Sequence, residues 1–140
     1  MEENPTEQIQ AAMLMIETTL KNESIDPDRV YLTGLSMGGF GAFDLGIRHS
    51  DLFAAIAAVC GAADPGKVGL LKDKPLWIVH GSDDTVVLPD RSRSAVQALK
   101  VAGGRPVYVE LPGVGHNSWT PAYNDNDGLV PWLFRQSRGQ

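Results

Sequence analysis

Val30-Tyr31-Leu32-Thr33 is a short β-branched and aromatic run that reads as a strand, and it passes straight into Gly34-Leu35-Ser36-Met37-Gly38. A helix is predicted from Gly38 to His49, with Phe40, Phe43, Leu45 and Ile47 as its apolar residues. A serine in a G-x-S-x-G between strand and helix has to sit on a sharp turn in a strained backbone conformation. Side chains two positions to either side would collide, so Gly34 and Gly38 are both expected to be needed as glycines. The turn lifts the Ser36 hydroxyl above the sheet. It also aims the Met37 N–H and the helix N-terminus at any oxyanion that develops there.

The rest of the chain repeats the same alternation. Ile9, Ala12, Met13, Ile16 and Leu20 fall at helical spacing between Thr6 and Lys21. Ala54 to Val59 shows no alternation, as in a strand buried on both faces, although a buried helix has the same pattern. A Gly-rich connection, 64–73, leads to a third strand at Leu76-Trp77-Ile78-Val79-His80, bounded by Pro75 and Gly81. A helix follows from Arg91 to Ala102, ended by Gly103-Gly104, and then a strand at Val107–Glu110. A polar loop, 113–127, precedes a last short helix near Pro131–Gln136. Strands alternating with helices predict a single α/β domain over residues 1–140, with about four parallel strands and helices on both faces.

Composition narrows the partners. The chain has 140 residues, 43% hydrophobic and 21% charged, which fits one globular domain. Its formal charge of −5 argues against a phosphate-backbone partner, so nucleic acid is not expected. No apolar run approaches the ~20 residues of a membrane span, so no membrane partner is expected either. The single cysteine, Cys60, excludes an internal disulfide framework. The histidines are far apart and no cysteine pair exists, so no metal or other cofactor is expected.

A serine hydroxyl needs a base to become a nucleophile. Of three histidines, His49 sits at a predicted helix end, and His80 ends a strand as a packed, hydrogen-bonded residue. His116, in the loop just past the fourth strand, is the candidate base. Asp83 and Asp84 follow the third strand, and either could hold the base in its tautomer while the other does ordinary turn chemistry. Each of the three candidates follows a different strand, in the order Ser, Asp, His.

These blocks together resemble a known family. Ile25-Asp26-Pro27-Asp28-Arg29-Val30-Tyr31-Leu32-Thr33-Gly34-Leu35-Ser36-Met37-Gly38-Gly39 is similar to the elbow region of α/β-hydrolase esterases of the feruloyl-esterase and polyhydroxybutyrate-depolymerase-like group. Asp51–Ala57, His80–Val87 and Pro112–Trp119 look like its later blocks. The resemblance implies a serine carboxylic-ester hydrolase working through an acyl-enzyme, without a cofactor. It maps the acid of the His-Gly-x-x-Asp pattern onto Asp84 rather than Asp83, beside Ser36 as nucleophile and His116 as base. Leu35 and Trp119, close in sequence to Ser36 and His116, are the candidate substrate contacts.

Family members usually carry a long additional N-terminal part, with the early strands and the loop that donates a second oxyanion N–H. The chain is therefore expected to be a truncated α/β-hydrolase, either a fragment or a minimal natural protein. Short-chain or small esters are the expected substrates. A non-catalytic remnant that binds a ligand or partner is the rival reading. The strand before the elbow would lose a neighbour and leave an open edge, which predicts a homodimer across it. Localisation stays open: cytoplasmic if Met1 is the true start, secreted if an upstream part held a signal.

Overall fold

The computed structural model describes residues 1 and 3–139. Four strands form one sheet: β1 (Tyr31–Leu35), β2 (Ala55–Val59), β3 (Leu76–Gly81) and β4 (Val107–Leu111). They pair in parallel in the order β1-β2-β3-β4, with Leu32 opposite Ile56, Ala58 opposite Ile78 and His80 opposite Glu110. β2 is buried along its whole length, and its small, unalternating residues fit between two covered faces. That settles the run as a strand, over Ala55–Val59.

Because the order runs one way across the sheet, right-handed crossovers place every connecting helix on the same side. α2 (Met37–Arg48) and α3 (Asp90–Val101) accordingly share one core with Ile56, Ala58 and Ile78, through Phe43, Leu45, Val96 and Leu99, and α1 (Glu7–Asn22), which precedes β1, joins it through Met13. The opposite face, carrying Ala55, Ala57, Val59 and Val79, is covered only after β4, by α4 (Trp119–Asn124) and α5 (Leu129–Phe134). Trp132 packs on Trp77 with ring centroids 5.3 Å apart, and Phe134 meets the Tyr31 ring edge-on at 5.8 Å. The C-terminal residues are pinned there: Tyr31 Oη donates to Gln136 O at 2.7 Å, and Arg29 Nη2 donates to Phe134 O at 2.8 Å.

Helix limits follow local chemistry. Thr6 caps α1, its Oγ1 accepting from Ile9 N at 3.3 Å, so the helix begins at Glu7, one residue after the start of the predicted segment. α4 falls within the segment predicted as loop. Asn117 Oδ1 accepts from Thr120 N at 3.1 Å, and Pro121 lies in the first turn, where a missing N–H costs nothing. Pro131 similarly falls in the first turn of α5, which therefore starts two residues before the predicted position. Among the described residues, no helix is long and apolar enough to cross a membrane.

Candidate active site

In a parallel sheet all carboxyl ends emerge on one edge, and the chemistry-bearing residues gather there. Ser36 is the single residue between β1 and α2, with φ 53° and ψ −120°. This is the left-handed region, which costs a non-glycine residue of order 1–3 kcal/mol and persists only where the surroundings impose it. The surroundings are β2, whose Val59 O accepts from Ser36 N at 2.9 Å, and the start of α2. A Cβ on Gly34 would overlap the carbonyl of Gly38, so glycine is required there. The expectation for Gly38 does not hold. A Cβ on it meets nothing within 4 Å, because the clash runs from residue 34 to the Gly38 backbone and not to a side chain.

Ser36 Oγ lies 2.9 Å from His116 Nε2, and His116 Nδ1 lies 2.8 Å from Asp84 Oδ2. The three candidates, 80 and 32 residues apart in sequence, thus form one hydrogen-bonded line. Asp84 is only 2% exposed, and its Oδ1 accepts from Val86 N at 2.9 Å and Val87 N at 3.0 Å. Asp83 points elsewhere: it is exposed and accepts the Ser82 hydroxyl at 2.7 Å. Burial pushes the Asp84 carboxyl up, but hydrogen bonds from His116, Val87 and Val86 outweigh it and hold the group below its ordinary value. Asp84 therefore stays ionised at neutral pH, facing the imidazole. His116 keeps 22% of its side chain exposed, and Trp119 meets its ring edge-on at 5.4 Å. Leu35 is 37% exposed beside Ser36.

Met37 N–H is the first amide of α2, one of the donors a helix cannot satisfy internally. No acidic residue occupies that first turn, so the helix dipole there is uncompensated. The Met37 side chain itself is 81% exposed. Two hollows elsewhere on the surface, one along Asp90, Arg93 and Gln97 and one along Lys72, Lys74 and Arg105, include none of the three candidates.

Two features went unread in the sequence. Cys60, just past β2, is fully buried with φ 42°. Its Sγ, an Asp84 carboxylate oxygen and a His116 ring nitrogen lie within 4.8 Å of one another, the group with metal-ligand chemistry among the described residues. Burial pushes the Cys60 thiol up, and Asp84 and His116 are already hydrogen-bonded to each other. The second feature is the seam joining the acid loop to the base loop. Asp83 N donates to Val114 O at 2.9 Å, Ser82 N to Leu111 O at 3.0 Å, and Gly113 N to Ser82 Oγ at 2.8 Å. A Cβ on Gly81 would collide with the Val114 and Gly115 carbonyls. Gly81→Ala is therefore expected to push the His116 loop away from Asp84. Thermal unfolding should fall by several degrees, and the imidazole signal reporting the Asp84 hydrogen bond should weaken; an unchanged melt and spectrum would contradict the seam.

The chain as a whole is similar to known esterases. A crystal structure of a thermostable esterase superimposes with a TM-score of 0.91 at 38% identity, over 96% of this chain and 38% of that one. Carboxylesterase SOBER1 of Arabidopsis thaliana is 25% identical over 124 residues, 84% of this chain and 53% of its own length. Feruloyl esterase B of Thermothelomyces thermophilus is 26% identical over 160 aligned positions, 89% of this chain and 55% of its own. The chain spans about half, or less, of the length of these relatives. The Esterase family model matches residues 14–120, which takes in the Ser36 turn, the Asp84 loop and His116 together, and the chain belongs to that family.

Proposed function

We propose that the chain hydrolyses carboxylic esters through an acyl-enzyme on Ser36. The hydrogen-bonded line from Ser36 through His116 to Asp84, at 2.9 and 2.8 Å, is the observation that carries this reading. Ser36 Oγ attacks the ester carbonyl carbon as His116 Nε2 takes its proton. Asp84 holds Nδ1–H toward itself and stabilises the imidazolium. The carbonyl oxygen becomes an anion beside the Met37 N–H and the α2 N-terminus. Collapse expels the alcohol, which receives the proton from His116, and leaves the acyl group on Ser36. Water, deprotonated by the same imidazole, then releases the acid and restores Ser36.

Leu35 and Trp119, flanking Ser36 and His116, are the proposed contacts for substrate. The exposure of Leu35 and Met37 favours small or short-chain esters, which need little enclosure. The test is hydrolysis of a short aryl ester by the chain and by Ser36→Ala. Turnover by the chain that disappears in the variant supports the proposal. A folded chain with no turnover above buffer overturns it in favour of a binding module.

A homodimer is part of the same proposal. β1 pairs only with β2 among the described residues, so its outer backbone groups have no strand partner. Thr33 and Leu35 on it are exposed, and it contains neither proline nor charge. Leu14 and Met15 of α1 are 65% and 71% exposed. Open apolar edges of this kind recruit a second strand. Light scattering at micromolar concentration should give twice the 15.1 kDa chain mass; a monomer at that mass would contradict the dimer.

A further inference from the structure

Asp84 is held from two sides, and the second side is a histidine that takes no part in the steps above. His80, near the end of β3, has no exposed surface. Its Nε2 lies 2.7 Å from Val87 O and 3.2 Å from Asp84 Oδ2. A carbonyl and a carboxylate only accept, so a bare lone pair on Nε2 would face two acceptors; the hydrogen has to be on Nε2. Behind it, Nδ1 lies 2.7 Å from Ser92 Oγ, a buried hydroxyl with two acceptors in reach, Nδ1 and Gly61 O at 3.2 Å; with the ring hydrogen on Nε2, its one hydrogen goes to the nearer Nδ1. The Asp84 oxygen that His80 meets is Oδ2, the same one that takes the Nδ1–H of His116. Asp84 Oδ2 thus accepts its hydrogen bond from His116 and lies beside the His80 Nε2–H, whose own hydrogen bond goes to Val87 O, while Oδ1 is filled by two backbone amides.

We infer that His80 is a positioning residue for the proposed reaction: its Nε2–H, backed by Ser92, ties down the Val87 carbonyl of the loop whose amides hold Asp84, and lies beside Asp84 Oδ2, the oxygen that bonds His116. The inference rests on the esterase reading of Ser36, His116 and Asp84. Two consequences follow from the chemistry. Without His80 the Val87 carbonyl loses its partner and the loop that seats Asp84 loosens, which lowers the rate. Asp84 Oδ2, no longer beside that N–H, also holds the His116 proton more tightly, so the acidic limb of the rate profile moves to higher pH. The charged and titratable groups around His80 are Asp84 on the loop after β3, His116 and Cys60 beyond that carboxylate, and Glu110 across the β3–β4 register. Glu110 is paired with Arg93 of α3 at 2.8 Å, and Ser92 of the same helix is uncharged.

The test combines nitrogen-15 NMR of the imidazoles in the 140-residue chain with kcat/KM against pH for an aryl acetate. The spectrum is expected to show the His80 proton on Nε2. His80→Leu should lower the plateau about 10-fold, as loss of outer partners of catalytic groups does. It should also move the acidic limb up by about half a pH unit or more. His80→Gln, whose side-chain amide can donate from a similar position, should recover most of both. If His80→Leu does not fold, Ser92→Ala serves instead: it leaves the ring in place but unbacks Nδ1, and should shift rate and limb the same way by less. A proton on Nδ1 with Nε2 bare would overturn the inference, as would a folded His80→Leu with the parent's rate and limb. A chain without esterase turnover would remove the reading beneath it, and that failure is distinct, because the spectrum reads the tautomer without turnover.

Discussion

Ser36→Ala is expected to lower kcat/KM for a short aryl ester by about 10⁴-fold or more, with the fold intact. The size of the effect follows from the role: without Oγ no acyl-enzyme forms, and His116 can at most activate water against an ester held beside Met37 N–H. The variant should fold because the hydroxyl does no structural capping. Ser36 stands at the N-cap of α2, but its side chain makes no capping bond, and its hydrogen-bond partner is His116. The strained φ of 53° is set by backbone contacts that alanine keeps. Circular dichroism and thermal melting close to the parent's, with turnover gone, are the expected pair of results.

Asp84→Asn is the second large effect, about 10³–10⁴-fold in rate. Oδ1 is tied to the Val86 and Val87 amides, so an asparagine oxygen stays there and its NH₂ takes the place of Oδ2. That NH₂ then faces His116 Nδ1. A donor opposite Nδ1 draws the imidazole into the tautomer with its hydrogen on Nε2, which points at Ser36 Oγ and cannot accept its proton. Asp83→Asn changes only an exposed side chain bonded to Ser82, and its rate should stay within a few-fold of the parent's. Steady-state rates for the two variants side by side check the assignment; a reversal of the two effects would move the acid one residue along the loop.

The strands were readable because each carries a compact apolar or β-branched run, and their parallel pairing follows from connections long enough to cross over, two of them helical. The three candidate residues were readable for a related reason: each follows a strand end, and a parallel sheet gathers those ends. The acid was a different matter. Asp83 and Asp84 are equivalent in composition, and only the resemblance to a family pattern separated them; in the structure the difference is burial and two amide bonds to Oδ1. α4 stayed hidden because its start rests on one Asn117 side-chain bond and a proline, with little apolar periodicity. Cys60 was legible only as a lone cysteine and His80 only as a packed residue, since nothing local in sequence tells that β2 and β3 end against the same carboxylate. The Gly38 expectation failed for a similar reason: a symmetric motif suggested a symmetric clash, whereas the contact runs from a Cβ on one residue to the backbone of the other.

The most direct measurement of the central claim is intact-protein and peptide mass spectrometry after treatment with a fluorophosphonate. An activated serine beside its base displaces fluoride and keeps the phosphonyl group on Oγ. One adduct per chain is expected, on the peptide that contains Ser36, with labelling lost in Ser36→Ala and strongly slowed in Asp84→Asn. A folded chain that takes no label, or a label that persists in Ser36→Ala, would contradict the assignment of Ser36 as the nucleophile.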